Sequence, residues 1–228
     1  MTYREAILLG ESILQKAKIV DAKNDAWLLL AMACRINHTY YYVHMDEEMS
    51  QEQIREYQAL LSKRAERIPL QYIVGEQEFM GLTFSVNEHV LIPRQDTEVL
   101  VEEVMKNLHD GFRILDLCTG SGCILLSLLH YSNDCSGVGA DLSEEALEVA
   151  RKNAEQLGES SALFVQGDLF APVEGKFEII VSNPPYICSD VIPTLMEEVR
   201  EHEPMMALDG TEDGLKFYRQ IAKEAGAW

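Results

Sequence analysis

The sequence has no long hydrophobic run. Its longest apolar stretch, around Trp27–Cys34, is far shorter than the ~20 residues that a membrane-spanning helix needs. The first ten residues, MTYREAILLG, place an acidic residue before a short apolar run and contain no cleavage-like region, so they do not indicate a signal peptide. We therefore expect a soluble, cytoplasmic protein with no membrane partner.

Basic residues are also scarce. Lysine and arginine number 19 against 38 aspartates and glutamates, which gives a formal net charge of −19. The imbalance is uneven, because residues 1–88 hold 9 basic and 13 acidic residues, whereas 89–228 hold 10 and 25. A field of this sign repels phosphate backbones and anionic lipid surfaces. Direct nucleic-acid binding is therefore disfavoured.

Patterns that bind metals or form disulfide frameworks are missing. The five cysteines form no CxxC pair, and the six histidines show no HxxxH or HExxH spacing. Neither a zinc site nor any other metal site is predicted. This cysteine usage is typical of a reducing compartment.

The residues that are present make an ordinary globular composition, with 47% apolar and 25% charged residues. At roughly 150 residues per domain, the chain forms one large domain or two small ones.

Helical periodicity runs through residues 1–70, where Ser50 and Gln53 predict a capping box. A change to alternating apolar residues around Gly81 predicts a β-hairpin linker over 71–93. The second domain then covers 94–228.

The run Tyr40–Tyr42 in the helical domain has two interpretations. It could form a recognition surface, but aromatic packing between short helices is favoured.

Strands and helices alternate after residue 111. Strands are predicted over 113–118, 137–141, 162–166 and 177–182, and helices over 123–131, 143–157 and 215–225. A further helix follows the string LIPRQDTE, with Asp96 or Thr97 as its expected cap. Such repetition predicts an α/β fold with a parallel sheet covered on both faces, and a ligand crevice at the carboxyl ends of its strands.

The string DLCTGSG, Asp116 to Gly122, lies between the first of these strands and its helix. Small residues at this point let backbone N–H groups approach a ligand, although tight strand-to-helix packing explains the same turn. Asp141 ends the next strand, where it can accept hydrogen bonds from ribose hydroxyls or simply cap a helix. Asp168 ends the third strand within the string GDLF, which also offers apolar side chains to an adenine ring.

The nature of the cofactor follows from what this loop omits. No GKS or GKT is present, so a triphosphate-binding loop is not indicated. An acidic site suits a cationic sulfonium better than a pyrophosphate. We therefore expect an adenosine-bearing cofactor without a phosphate tail.

The string SNPPYI, Ser182 to Ile187, is the most specific in the chain. Two consecutive prolines fix φ and remove both backbone donors, which leaves carbonyl oxygens that can only accept. Together with the Asn183 side-chain oxygen they form a cluster of acceptors, and Tyr186 offers a ring face. The expected target is a planar NH2 group whose lone pair is presented to an activated methyl group by positioning alone. A rigid surface turn is the plainer alternative.

Taken together, these strings resemble Rossmann-like methyltransferases that depend on S-adenosylmethionine, and more narrowly the HemK/PrmC-type release factor glutamine methyltransferases. The resemblance extends from the helical N-terminal part through LIPRQDTE, DLCTGSG and NPPY to EVREHEPMMALDGTEDGL. It implies an enzyme that methylates the side-chain amide nitrogen of the glutamine in the Gly-Gly-Gln motif of class I peptide chain release factors. A monomer acting in translation termination is implied, with S-adenosyl-L-homocysteine as the product and the helical domain recognising the substrate.

The resemblance also assigns site residues. The cofactor would contact Cys118, Thr119, Gly120, Ser121, Gly122, Asp141, Asp168, Leu169 and Asn183. The catalytic and substrate-binding residues would be Asn183, Pro184, Pro185 and Tyr186. Cys118 stands where the broader methyltransferase motif has a glycine, and it places an oxidisable thiol near the cofactor. Arg94, Glu98 and Glu203 are expected to be structural ion-pair or capping residues.

Two other substrates remain open at this point. One is a ribosomal-protein glutamine, although the DTE ending of LIPRQDTE favours a release factor. The other is a nucleic-acid amine of the adenine N6 type, because NPPY occurs in such enzymes as well. The acid excess argues against nucleic acid.

The fold that the chain resembles continues with further strands after the helix at 215–225. We therefore expect a sheet whose C-terminal strands are missing, with an unpaired edge next to the NPPY strand. Weak stability and little or no turnover are the expected consequences, and this chain would then be an inactive fragment or a binding module.

Overall fold

The computed structural model describes all residues from Met1 to Trp228. The chain divides into two compact units, Met1–Val74 and Gly75–Trp228. The hairpin therefore belongs to the second unit. No helix in either unit is long and apolar enough to cross a lipid bilayer.

The first unit is entirely helical. Its helices are α1 Tyr3–Lys16, α2 Ala22–Cys34, α3 His38–His44, α4 Gln51–Ala65 and α5 Leu70–Val74. The predicted capping box of Ser50 and Gln53 is confirmed at the start of α4, and a second box of Thr2 and Glu5 begins α1. Each box satisfies two N–H groups that would otherwise have no partner.

The core of the helical unit surrounds Tyr57, which is fully buried. Its hydroxyl donates to Ala26 O at 3.1 Å. Gly10 is required beside it, because a Cβ there would lie 2.0 Å from the Tyr57 hydroxyl oxygen. One ion pair is also buried, between Arg64 Nε and Asp25 Oδ2 at 2.8 Å.

The tyrosine run lies on α3, which has no buried residue. Trp27 stacks on His38 with centroids 4.0 Å apart, and Tyr41 meets Trp27 edge to face. Aromatic packing therefore explains Tyr41, whereas Tyr42 is 67% exposed.

The second unit begins with the predicted hairpin, β1 Glu76–Phe79 and β2 Leu82–Ser85, paired antiparallel. Helix α6 follows at Gln95–Met105. The expected cap at Asp96 or Thr97 is wrong. The helix starts two or three residues earlier than that prediction, so that Arg94 is the N-cap and Asp96 lies in the first turn, where its charge favours the helix dipole.

The predicted parallel sheet is confirmed. Its strands are β3 Arg113–Leu117, β4 Ser136–Asp141, β5 Ala162–Gln166 and β6 Ile179–Ser182, in the order β5-β4-β3-β6. All three pairings are parallel. In this order β3 and β4 are central, and β5 and β6 are the edge strands.

Helices α7 Cys123–His130 and α8 Glu144–Leu157 connect the first three strands of the sheet. Ser143 caps α8 and Gly158 ends it in the left-handed conformation, as predicted. Two hydrophobic clusters pack within this unit, one containing Ile114 and Val181 and the other Leu115 and Leu117. Successive residues of β3 thus serve different clusters, as expected of a buried strand.

The remaining helices are short. They are α9 Glu197–His202, α10 Met205–Leu208 and α11 Lys216–Glu224, with 3₁₀ turns at Ile192–Thr194 and Ala225–Ala227.

Candidate active site

A cleft opens at the carboxyl ends of β3, β4, β5 and β6, where parallel α/β sheets place their ligands. Its empty volume is about 990 Å³, solvent mouth included. The structure brings nine of the sequence-predicted site residues to its walls: Cys118, Thr119, Gly120, Ser121, Asp141, Asp168, Leu169, Asn183 and Pro185.

Three predicted residues do not line the cleft. Gly122 is the N-cap of α7, and a Cβ there would lie 3.1 Å from Leu126 and 3.3 Å from Ala150, so its role is close packing. Pro184 is buried. Tyr186, the last residue of the motif, is 56% exposed and does not line the cleft.

Asp141 ties the end of β4 to the glycine loop. Its Oδ2 accepts from Gly120 N at 2.8 Å and its Oδ1 accepts from Ser143 N at 3.0 Å. Burial raises the pKa of Asp141, and these backbone donors oppose the rise. Each oxygen keeps a further lone pair, so the carboxylate is held in place while it can still accept from a ligand.

The glycine loop leaves room for a ligand. Gly120 has φ +56° and a Cβ there would meet no atom within 4 Å. Open space next to a left-handed turn, bounded by the Asp141 and Asp168 carboxylates, fits an adenosine-bearing cationic cofactor.

Beneath the loop, Asp116 is fully buried. Its Oδ2 accepts from Thr119 Oγ1 at 2.6 Å, and its Oδ1 has no hydrogen-bond partner. Burial raises the pKa of Asp116 to about 7, and the Thr119 hydroxyl lowers it in part. The charge state of this group therefore changes near neutral pH.

Cys118 adopts φ +58°, which is uncommon for a residue other than glycine. Burial, together with the charges of Asp141 and Asp116, raises the pKa of its thiol to about 12. Since the thiolate is the reactive form, this environment disfavours the reactive state of the Cys118 thiol.

The chain that follows β5 contributes Asp168, which is exposed, and Leu169, which is buried and has φ +46°. Phe170 does not reach the cleft. It is 2% exposed and stacks on Trp228 with centroids 5.7 Å apart. Of the apolar side chains of GDLF, only Leu169 lines the cleft.

The acceptor motif, Asn183 to Tyr186, follows directly after β6. Asn183 Nδ2 lies 3.5 Å from Thr97 Oγ1, which leaves Oδ1 as the atom that can accept from a ligand. No group of the chain donates to the carbonyl oxygens of Asn183 or Pro184. These two carbonyl oxygens therefore have no hydrogen-bond donor within the chain.

A second wall of the cleft was not predicted. It comes from two segments far apart in sequence, and its members include His89, Pro93, Thr97, Pro204, Met206 and Phe217. The string LIPRQDTE marked the first of these segments, but no residue chemistry in Pro204–Phe217 indicated a ligand.

Arg94 and Glu203 join these two segments by an ion pair. The Glu203 side chain is only 1% exposed, and its Oε2 also accepts from Ile92 N at 3.4 Å. Burial raises the pKa of Glu203, and Arg94 lowers it. Glu98 accepts from Met80 N at 2.7 Å. The ion pair expected of Arg94 and Glu203 is thus present, whereas Glu98 forms a side-chain-to-backbone hydrogen bond rather than an ion pair or a helix cap.

Comparisons with known proteins agree with this geometry. A family model described as "PrmC N-terminal domain" matches residues 5–75, and one described as "Methyltransferase small domain" matches residues 94–200. A release factor glutamine methyltransferase from Geobacter sulfurreducens is 40% identical and aligns over 98% of this chain and 79% of its own. One from Caulobacter vibrioides is 41% identical, with the same coverage of 98% and 79%.

Among solved structures, a SAM-dependent methyltransferase from Geobacter sulfurreducens in complex with S-adenosyl-L-homocysteine is 28% identical. It covers 41% of this chain and 37% of its own, with a TM-score of 0.35.

The matched methyltransferase domain, together with the parallel sheet and the cleft at its carboxyl end, identifies the chain as a methyltransferase, with S-adenosyl-L-methionine as its cofactor. More narrowly, the chain belongs to the release factor glutamine methyltransferase family.

Proposed function

We propose that this chain transfers a methyl group from S-adenosyl-L-methionine to the side-chain amide nitrogen of the glutamine in the Gly-Gly-Gln motif of class I peptide chain release factors. The observation that carries the proposal is the set of acceptors without internal donors at Asn183, which lines the cleft, and at its neighbour Pro184, beside open space that fits an adenosine-bearing cation. The membership of the release factor glutamine methyltransferase family supports the same substrate.

The cofactor end of the site comprises the glycine loop and the ends of β4 and β5. The methionine part of the cofactor would lie against the run from Cys118 to Ser121. Asp141 would accept hydrogen bonds from the ribose hydroxyls, and the adenine ring would contact Asp168 and Leu169. Asp141 is suited to this role because two backbone N–H groups already fix its orientation. When bound, the cofactor supplies an electrophilic methyl group on a sulfonium.

The acceptor end must hold a nitrogen that is a poor nucleophile, because an amide lone pair is delocalised. Asn183 Oδ1 and the proline-flanked carbonyl oxygens would accept both N–H groups of the glutamine and fix its orientation toward the methyl group. Pro184 and Pro185 make this geometry rigid, since their φ angles are restricted. Tyr186 would cover the bound amide.

Positioning of this kind contributes up to roughly 7–11 kcal/mol to catalysis. The N–C bond forms as the S–C bond breaks, and the methylated nitrogen, now cationic, releases one of its protons. A strong base is not required for that loss, and the motif contains none.

The surroundings favour a protein substrate over nucleic acid. Residues 75–228 hold 10 basic and 28 acidic residues, whereas 1–74 hold 9 and 10, so the acid excess belongs to the methyltransferase unit. Such a field repels a phosphate backbone. We place the reaction in the cytoplasm, with the enzyme as a monomer.

We also propose a division of labour along the chain. Residues 1–70 would recognise the release factor, with the exposed Tyr42 as a contact, while 71–93 link this part to the methyltransferase part at 94–228. Because the charge of the helical unit is nearly balanced, a surface of the release factor that binds there would need to be less basic than one that binds the acidic methyltransferase unit.

The test is to incubate the protein with a class I release factor and S-adenosylmethionine, and to follow the tryptic Gly-Gly-Gln peptide by mass spectrometry. We expect one added methyl on the glutamine. Asn183→Ala should abolish this transfer while calorimetry shows that cofactor binding persists, and the exposed Asn133→Ala should behave as wild type. Methylation of nucleic acid or of a ribosomal protein, with the release factor unmodified, would overturn the proposal.

A further inference from the structure

We infer that the segment Leu208–Gly214, named here the glycine strap, is the positioning element of the acceptor motif, and that Gly210 and Gly214 are its positioning residues. The inference rests on the proposed function in one respect, because its kinetic test measures kcat for methylation of the release factor. The strap contacts Tyr186, in which the NPPY motif ends, and hydrogen-bonds to Ile187 and Ser189, which follow it.

The strap pairs with the chain that leaves the motif as a short parallel ladder. Ile187 N donates to Leu208 O at 3.0 Å, and Gly210 N donates back to Ile187 O at 2.8 Å. One residue pair, Ile187 and Asp209, forms a parallel bridge. Ser189 N continues the pairing with Thr211 O at 3.1 Å.

Asp209 locks this pairing with its side chain. Its Oδ1 accepts from Ser189 Oγ at 2.7 Å and from Thr211 N at 2.8 Å. The hydrogen bond from Ser189, with that from Thr211, lowers the pKa of Asp209, so the carboxylate stays ionised. Charge-assisted hydrogen bonds of this kind are the stronger ones.

The two glycines permit a contact that no other residue would allow. A Cβ at Gly210 would lie 2.6 Å from Tyr186 Cα, and a Cβ at Gly214 would lie 2.2 Å from Tyr186 O. Both obstacles are backbone atoms, which cannot rotate away. A side chain at either position must therefore displace Tyr186, the last residue of the motif.

The motif is held at its other end by the sheet. Ser182 pairs with Leu117 in the β3–β6 register, and Ser182 Oγ donates to Leu117 O at 2.7 Å. Asn183 to Pro185 thus lie between two anchors, of which the strap is the second. Positions in a catalytic site have to be held closely, since a displacement of 1 Å can cost about 100-fold in rate.

The strap also follows the cleft wall directly. Met206 and Ala207 line the cleft, and Leu208 begins the strap. One continuous segment therefore sets both the cleft wall and the end of the acceptor motif. Because the strap itself contacts Tyr186, Ile187 and Ser189, we expect a shift confined to the strap to alter the position of the acceptor more than the affinity for the cofactor.

The experiment compares alanine substitutions that differ only in their surroundings. Gly214 has φ +71° and contacts Tyr186, whereas Gly158 has φ +76° and open space around its Cβ position. Gly214→Ala and Gly158→Ala thus share the backbone strain and differ in the displacement of Tyr186. Gly210→Ala is matched in the same way by Gly226→Ala, which meets no atom within 4 Å.

We expect Gly214→Ala and Gly210→Ala to lower kcat for release factor methylation by about 10- to 100-fold, with the cofactor Kd from calorimetry within about twofold of wild type. Gly158→Ala and Gly226→Ala should keep kcat. Unchanged kcat in both strap variants, or an equal loss in the controls, would overturn the inference.

Ser189→Ala provides a milder variant in case a glycine substitution prevents folding. It removes the bond to Asp209 without a steric clash, and it should lower kcat several-fold with KM for the release factor unchanged. A change in KM alone would contradict a positioning role.

Hydrogen–deuterium exchange separates this inference from the proposed function. The amides of Ile187 and Gly210 should be protected in wild type and should exchange faster in Ser189→Ala, whatever the substrate proves to be. If these amides are unprotected in wild type, the inference about the glycine strap is overturned. If they are protected but no glutamine is methylated, only the proposed function is overturned.

Discussion

Asp141 Oδ2 accepts a hydrogen bond from Gly120 N at 2.8 Å, so the end of one central strand fixes the loop that follows the other. The same carboxylate accepts from Ser143 N through its second oxygen. One side chain thus organises the cofactor loop and the start of α8. Removal of the Asp141 carboxylate should therefore weaken cofactor binding more than removal of any exposed carboxylate.

We expect Asp141→Asn to weaken S-adenosylmethionine binding by about 10- to 100-fold, corresponding to the ~1.5–3 kcal/mol of a hydrogen bond to a charged group. An amide offers a single acceptor oxygen, so either Gly120 N–H or Ser143 N–H would then face an NH2 group. Isothermal titration calorimetry measures the change. The exposed Asp190→Asn serves as the control, and equal affinities for the two variants would contradict a role of Asp141 in the site.

The buried Asp116 predicts how stability depends on pH. Its pKa is about 7 in the folded protein against an ordinary value of 3.8, because burial disfavours the charge. Between these two values the folded state binds more protons than the unfolded state, so this group makes stability fall as pH rises toward 7. The difference in pKa corresponds to about 4 kcal/mol.

Asp116→Asn removes this titration and leaves a neutral side chain of similar shape. The variant should therefore gain stability relative to wild type as pH increases from 5 to 8, by up to several kcal/mol. Urea unfolding at each pH gives the difference in free energy of unfolding. A difference that stays constant over this range would show that Asp116 does not titrate there.

The Arg64–Asp25 pair should be the most costly ion pair to break in the helical unit, since its side chains are 9% and 7% exposed. We expect Asp25→Ala to destabilise the protein by about 3–5 kcal/mol, because it leaves a buried charge without its carboxylate. Asp46→Ala is the matched control: its partner Arg4 lies at 2.9 Å, but these side chains are 50% and 76% exposed, and the loss should be below ~1 kcal/mol. Denaturant unfolding of the full chain compares them, and similar losses would refute the burial argument.

Local sequence signals predicted much of the fold. The capping box at Ser50 and the stop at Gly158 depend on neighbouring residues only, and both are found in the structure. The positions of Asp141, Asp168 and Asn183 were predictable as well, because parallel strands end at one edge of a sheet. Periodicity alone thus predicts that these three side chains lie at one edge of the sheet, where they line one cleft.

The parts that could not be predicted depend on contacts distant in sequence. Glu203 meets Arg94 across 109 residues, and nothing near Glu203 indicates that its side chain is buried. The cap of α6 was misplaced because Asp96 and Thr97 are both good capping residues, and their identity alone does not decide where the helix begins. The close packing of Gly122 against Leu126 and Ala150 is likewise not evident from the sequence, because a glycine that permits close packing and one that gives access to a ligand have the same local signal.

The pairing of Ile187 with Asp209 also bears on when activity arises during synthesis. A ribosome makes the chain from its N-terminus, so the NPPY motif emerges while the strap has yet to be translated. Until Gly214 has left the ribosome, Tyr186 has no partner to fix it, although the glycine loop and Asp141 are already available. A nascent chain of intermediate length should therefore acquire the glycine loop and its Asp141 anchor before it acquires the ability to hold a glutamine.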